Sequence, residues 1–193
     1  GLVGSEMCIR DRFKYQFIHM NEKILFLVRH AKSSWKDPSL NDHDRPLNKR
    51  GEQNAPLMAA RLRKRGIIPK IILSSTANRA VTTSQIFAQE IGLRENQINY
   101  QRQLYHASVK DLITIIKAIS DKFDSVMLCG HNPGFTELAY YEWNLPVHNH
   151  PTCGVLELKF KVDSWNDIAD ERIHSAKFDY PKNSSPTPEI LFS

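Results

Sequence analysis

From Met20 onward, short apolar runs alternate with longer amphipathic segments. Ile24–Val28 is an unbroken apolar run, which predicts a strand buried on both faces. The stretch from Asn48 to Arg65 sets Ala55, Met58, Ala59 and Leu62 at i, i+3, i+4 and i+7, the apolar stripe of a helix. Pro56 inside it predicts a late start or a kink. Lys70–Ser74 reads as a second strand, and Ala77–Ile91 as a helix closed by Gly92 as its C-cap. Asp111–Ile119 predicts a third helix, Ser125–Cys129 a third strand and Phe135–Glu142 a further helix. Gly154–Val162 alternates like a strand, and Ile173–Phe178 predicts a last one before the Pro-rich stretch 181–188. Strands alternating with helices imply an α/β domain whose mostly parallel sheet is covered on both faces.

The 193-residue length suits one domain. A core of that size buries about 70% of the unfolded chain's surface and needs no disulfide or metal staple. With 41% hydrophobic and 24% charged residues, disordered and fibrous classes are excluded. The longest apolar run is far short of the roughly 20 residues of a membrane helix, so no membrane association is expected. Cys8, Cys129 and Cys153 are too few and too scattered for a secreted disulfide framework, which makes a reducing cytoplasm the expected compartment. Residues 1–19 lack a secretory apolar core and carry no motif. They read as a non-functional extension, followed by a domain over 20–182 and a tail over 183–193.

Charge is distributed unevenly. Arg45, Lys49, Arg50, Arg61, Arg63, Lys64, Arg65 and Lys70 face only Glu52 in the same stretch, a local +7 in a chain of net charge +5. Such a stretch is either a solvated helix face or a docking surface for an acidic partner. It contains no aromatic residue, so single-strand nucleic-acid binding is not expected.

In open α/β sheets, ligands bind beyond the carboxyl ends of the strands. The first predicted strand runs into Arg29-His30, and the second ends at Ser74-Ser75 with Arg79 just beyond. The third ends at Cys129-Gly130-His131. Two arginines and two histidines would therefore meet in one crevice. Guanidiniums grip phosphoryl oxygens bidentately, one histidine can donate a further hydrogen bond, and the other can attack phosphorus if neutral. Nearby arginines disfavour imidazolium and keep such a nucleophile unprotonated. Positioning and charge stabilisation carry most of phosphoryl transfer, so neither metal nor cofactor is required.

Four segments bear a resemblance beyond this chemistry: Leu27–Trp35 (LVRHAKSSW), Arg45–Gly51 (RPLNKRG), Leu73–Ala80 (LSSTANRA) and Gly130–Gly134 (GHNPG). Together with Pro151–Gly154 and Tyr180–Lys182 they resemble the histidine phosphatase superfamily, in particular its small SixA-like branch of phosphohistidine phosphatases. The resemblance runs from about Lys23 to Lys182. It implies a three-layer α/β/α sandwich without a large cap insertion, a transiently phosphorylated His30, and a phosphate pocket completed by Arg29, Arg79 and His131. It also implies a phosphorylated protein as substrate, such as a histidine phosphotransfer domain. Ala31 replaces the glycine that usually follows the histidine, a change the branch tolerates. His106 stands where relatives place a glutamate matching the wider family's proton donor, so that acid does not carry over, and His106 becomes either a proton donor or specificity position or a surface loop residue.

Other readings are weaker. His148, His150 and Cys153 form an HxH-plus-Cys set, but structural zinc needs a fourth ligand and neither CxxC nor HExxH accompanies them. Ser33-Ser34-Trp35-Lys36 matches SxxK, yet no SDN or KTG follows. A small-molecule phosphomonoesterase or mutase and a non-catalytic phosphate-binding module stay open as alternatives. Only 52 positions separate Arg79 from His131 (131 minus 79), too few for a large substrate-enclosing cap.

Overall fold

A computed structural model describes residues 22–66, 68–184 and 189–192. The 1–19 extension and the start of the domain at Met20 lie outside the described residues. A single seven-stranded sheet runs in the order β3-β2-β4-β1-β5-β6-β7. Its strands are β1 (Glu22–Arg29), β2 (Ile71–Ser75), β3 (Ile98–Gln101), β4 (Ser125–Gly130), β5 (Val155–Lys161), β6 (Ile173–Asp179) and β7 (Ile190–Leu191). The helices are α1 (Lys49–Lys64), α2 (Asn78–Ile91), α3 (Val109–Lys117) and the short α4 (Gly134–Glu137), which continues as a π-helical turn over Leu138–Glu142.

The central strand explains the layering. Leu25, Phe26, Leu27 and Val28 are all fully buried, and successive side chains leave opposite faces of the sheet. Leu25 and Leu27 pack with Leu112 and Ile116 of α3 and with Phe135 and Leu138 of the α4 segment. Phe26 and Val28 pack with Ala55, Met58, Ala59 and Leu62 of α1 and with Phe87, Ala88 and Ile91 of α2. The result is an α/β/α sandwich with two cores, one on each side of the sheet.

Four strands, β3-β2-β4-β1, pair in parallel, as helical crossovers require. The other half is antiparallel. β5 pairs antiparallel with β1, and β5 and β6 are joined by residues 162–172, which hold only single 3-10 turns, too little for a parallel crossover. Residues 190–191, within the stretch read as a tail, pair with Ser175 and Ala176 along the β6 edge. Helix α1 starts at Lys49, capped by the Asn48 side chain accepting from the Gly51 amide, and continues through Pro56 rather than starting late. Helix α2 ends at Gly92, whose φ of +81° is the left-handed C-cap conformation.

Half of the eight basic residues in the stretch have acidic partners, three of them distant in sequence. Arg45 pairs with Asp42, Arg61 with Asp179, Arg65 with the buried Glu157, and Lys70 with Asp124. As a docking surface it is therefore weaker than a +7 count suggests, with Lys49, Arg50, Arg63 and Lys64 the basic residues left without an ion pair among the described residues. Between Arg79 and His131 the chain completes α2 and then forms β3, two single 3-10 turns, α3 and β4, with no room left for a large cap.

Candidate functional site

Strand register builds the site. Arg29 of β1 sits opposite Gly130 of β4, and Ser74 of β2 opposite Cys129, so the carboxyl ends of three parallel strands finish level. His30, Ser75 and His131 follow at one edge of the sheet, and Arg79 projects from the first turn of α2. All four sequence-predicted residues meet. The His30 and His131 rings lie 4.9 Å apart, and Arg79 Nε donates to His30 Nε2 at 3.2 Å. Arg79 Nη2 lies 3.4 Å from His131 Nδ1. Arg29 Nη1 donates to the His150 carbonyl at 2.9 Å, while its buried Nε has no protein partner.

The His30 segment is pinned from three sides. The His30 amide donates to Gly130 O at 3.0 Å, the Ala31 amide donates to Thr83 Oγ1 of α2 at 3.0 Å, and the Cys153 amide donates to Arg29 O at 2.9 Å. The tautomer is fixed as well. His30 Nδ1 is 2.7 Å from the Ala31 carbonyl, which can only accept, so Nδ1 carries the proton and Nε2 presents its lone pair towards Arg79. Burial, reinforced by Arg79, Arg29 and Arg45, pulls the His30 pKa down to about 3, against the opposing bond to Ala31 O. Burial, with His30, Arg79 and His106 nearby, takes His131 to about 2. Both rings are neutral at ordinary pH. Since a guanidinium cannot accept, neutral His131 accepts at Nδ1 and donates from Nε2 to Ser75 Oγ at 2.8 Å.

With this geometry in view, similarity to known proteins is informative. The family model of the histidine phosphatase superfamily (branch 1) matches residues 25–108. A solved structure assigned as the phosphohistidine phosphatase SixA of Agrobacterium tumefaciens is 34% identical over 70% of this chain and 90% of that one, with a TM-score of 0.62. The chain belongs to the histidine phosphatase superfamily. An uncharacterised chloroplastic protein of Arabidopsis thaliana is 36% identical over 151 residues, 74% of this chain and 69% of that protein. A protein of Mycobacterium leprae is 35% identical over its whole length. The protein histidine phosphatase SixA in complex with tungstate, at 19% identity and a TM-score of 0.63, shares the fold. As a superfamily member with SixA neighbours, the protein is a phosphatase of the histidine-based type.

Three site residues escaped the sequence reading of this histidine phosphatase. Asp42, in a 3-10 turn over Asp42–Asp44, is gripped by Arg45 through Nε at 3.1 Å and Nη2 at 2.6 Å. It also accepts from Arg79 Nη2 at 2.9 Å and from the Tyr105 hydroxyl at 2.7 Å. Arg45 had been counted in the basic stretch, yet it is buried here, donates to Ser33 Oγ at 2.8 Å and stacks 3.6 Å from the exposed Trp35 ring. The Arg-Pro-Leu motif was the available signal for Arg45. Nothing in the sequence pattern pointed to Asp42 or Tyr105.

His106 is at the site rather than on a remote surface. A φ of +54° turns its ring onto His131, with centroids 5.4 Å apart and planes 27° off parallel, and its Nε2 lies 3.3 Å from Asp42 Oδ2. The HxH-plus-Cys set does not converge on a metal position. His148 packs on Tyr140, whereas fully buried His150 donates from Nε2 to Gly154 O at 2.9 Å. Among the described residues no cluster of His, Cys, Asp and Glu could hold a metal ion.

Proposed function

We propose that this enzyme removes phosphate from phosphohistidine on a protein, using His30 as the nucleophile. The observation carrying this reading is the neutral His30 ring, with its tautomer set by Ala31 O and its Nε2 lone pair aimed at Arg79. The Nε2 lone pair attacks phosphorus, and the bond to the substrate imidazole breaks with its electron pair. The departing nitrogen gains a proton as it leaves. Water then attacks the phosphorylated His30, returning the pair to Nε2 and releasing inorganic phosphate. Arg29 and Arg79 hold the equatorial oxygens through both displacements. Once Arg79 turns to the phosphoryl group, His131 Nδ1 is freed to carry a proton towards it, and the Ser75 hydroxyl can reverse and donate to Nε2.

The choice of a P–N substrate is supported by the acid. Asp42 is the carboxylate that contacts Arg79 at the site. Burial would raise its pKa, but hydrogen bonds from Tyr105, Arg45 and Arg79 outweigh that and hold it far below the carboxylate range. It is a poor proton donor for an alkoxide. A phosphohistidine leaving group needs less help, because its imidazole can be protonated from solvent near neutral pH. The Agrobacterium neighbour's assignment as a phosphohistidine phosphatase points the same way.

The test compares turnover on a phosphohistidine protein with a panel of small phosphate esters, alongside His30→Ala. The wild type should prefer the P–N substrate and trap a base-stable, acid-labile phosphoenzyme. His30→Ala should lose turnover while keeping its fold. Better turnover on the esters would reassign the substrate, and a fully active His30→Ala would overturn the mechanism.

A further inference from the structure

Four of the five N–H donors of Arg79 are engaged among the described residues. Its Nε donates to His30, Nη1 to the Asp42 backbone carbonyl, and Nη2 to Asp42 Oδ2 with His131 alongside. A bidentate grip needs two N–H groups, so a phosphoryl group taken by this guanidinium competes with Asp42, which now holds one N–H of Nη1 and one of Nη2. The carboxylate itself is bound as an anionic ligand would be. Two guanidiniums, a phenol and an imidazole converge on its two oxygens, at 2.6 and 3.1 Å from Arg45, 2.9 Å from Arg79, 2.7 Å from Tyr105 and 3.3 Å from His106.

The turn carrying it is latched separately. Asn78 Nδ2 donates to Asp44 O at 3.1 Å, and His43 Nε2 lies 3.0 Å from Thr76 Oγ1. Both latches are exposed or half-buried polar contacts on a three-residue turn with no buried residue of its own, so the turn can move without opening either core.

We infer that Asp42 is an intramolecular competitor for the phosphate site: its carboxylate occupies Arg79 in the resting enzyme and must be displaced by the substrate's phosphoryl group. This makes Asp42 a specificity-determining residue. A weakly charged or monodentate anion cannot replace a carboxylate held by five donors, whereas a phosphoryl dianion that also reaches Arg29 and His131 can. Once displaced from Arg79, the carboxylate keeps its Arg45 contacts and stands beside the entering group. There it disfavours leaving groups that carry further negative charge and favours those bearing an N–H or a positive charge. The inference rests on the phosphate-site reading above and sharpens its substrate class.

Binding separates the two. Isothermal titration of tungstate and of inorganic phosphate into the full-length protein needs no turnover. Asp42→Asn should bind both anions roughly 10- to 100-fold more tightly than wild type, the scale of one charged hydrogen-bonding competitor removed. Asp44→Asn removes the same net charge from the same turn, but among the described residues its carboxylate pairs with His43 alone, and it should change affinity by less than about twofold. Tyr105→Phe removes one donor to the carboxylate and should give a smaller tightening, which keeps the idea testable if Asp42→Asn folds poorly. Steady-state kinetics should show a lower KM for anionic esters in Asp42→Asn. Wild type that binds neither anion would overturn the phosphate site and this inference together. Wild type that binds while Asp42→Asn binds equally or more weakly would overturn the inference alone. So would a fall in kcat at unchanged KM, which would mark Asp42 as the proton donor.

Discussion

The neutral state of His30 makes a quantitative prediction about pH. A histidine of ordinary pKa, about 6.5, is about 97% protonated at pH 5 and would lose roughly thirtyfold of its nucleophilic form. With its pKa near 3, His30 is protonated in roughly one molecule in a hundred at that pH. Phosphoenzyme formation should therefore show no acid limb near 6.5 from the enzyme. The assay is single-turnover transfer from a phosphohistidine donor between pH 7.5 and 5, quenched in base, with the donor's own ionisation fitted separately. An enzyme-derived loss of less than about twofold is expected at pH 5. A fall approaching thirtyfold with a midpoint near 6.5 would refute the reasoning, as would an NMR titration placing the His30 ring near its free value.

The same shifts act on stability, with a definite sign. His30, His131 and His150 have pKa values lowered to about 3, 2 and 4, with burial the largest cause in each. Below about pH 6.5 the unfolded chain takes up protons at these three positions and the native protein does not. Stability should thus be complete above that pH and fall as pH drops towards 4, by at most about 1.4 kcal/mol per pH unit for each group. Thermal melts across the same range define where the kinetic experiment is valid.

Gly51→Ala should destabilise, because a Cβ there would overlap the Lys32 backbone carbonyl beside the His30 segment. An overpacking cost of about 1–3 kcal/mol predicts a Tm loss of roughly 2–12 °C by calorimetry, and an unchanged Tm would refute it. Arg65→Ala strands Glu157, only 4% exposed, and should cost about 3–5 kcal/mol in denaturant melts; adding Glu157→Leu should recover most of it. Arg79→Lys keeps the charge but loses the fork that spans His30, Asp42 and His131, and should lower kcat/KM by roughly 10²-fold or more.

What the sequence discloses here follows burial. β1, β2 and β4 are central strands, so both faces are apolar and the runs stand out, and α1 shows its stripe because that stripe is the floor of a core. β3 and β7 are edge strands. Ile98–Gln101 has exposed or half-buried positions throughout and Ile190–Leu191 is exposed, so no periodicity is imposed on them. Within the site, Arg29, His30, Arg79 and His131 were legible because each lies at or just beyond a strand end, and a parallel register brings strand ends level. Asp42 and Tyr105 come from connections whose course is set by latches such as Asn78 to Asp44 O and by the cap of α3 at Ser108, neither of which leaves a pattern along the chain.

Charge is where counting residues misleads most. Of the eight basic residues in the +7 stretch, Arg61, Arg65 and Lys70 are matched by Asp179, Glu157 and Asp124, 54 to 118 positions away. Arg45 turns inward to Asp42, Ser33 and the Trp35 ring, and so leaves the surface altogether. A local sum over sequence therefore overstates the field that the folded protein presents there. The field that matters is centred on Arg29, Arg45 and Arg79, three cations drawn from three separate segments, which together help keep a buried histidine unprotonated. Among the described residues one carboxylate, Asp42, pairs with Arg45 and Arg79 of that cluster, and it does so by holding the guanidinium that the phosphoryl group must claim.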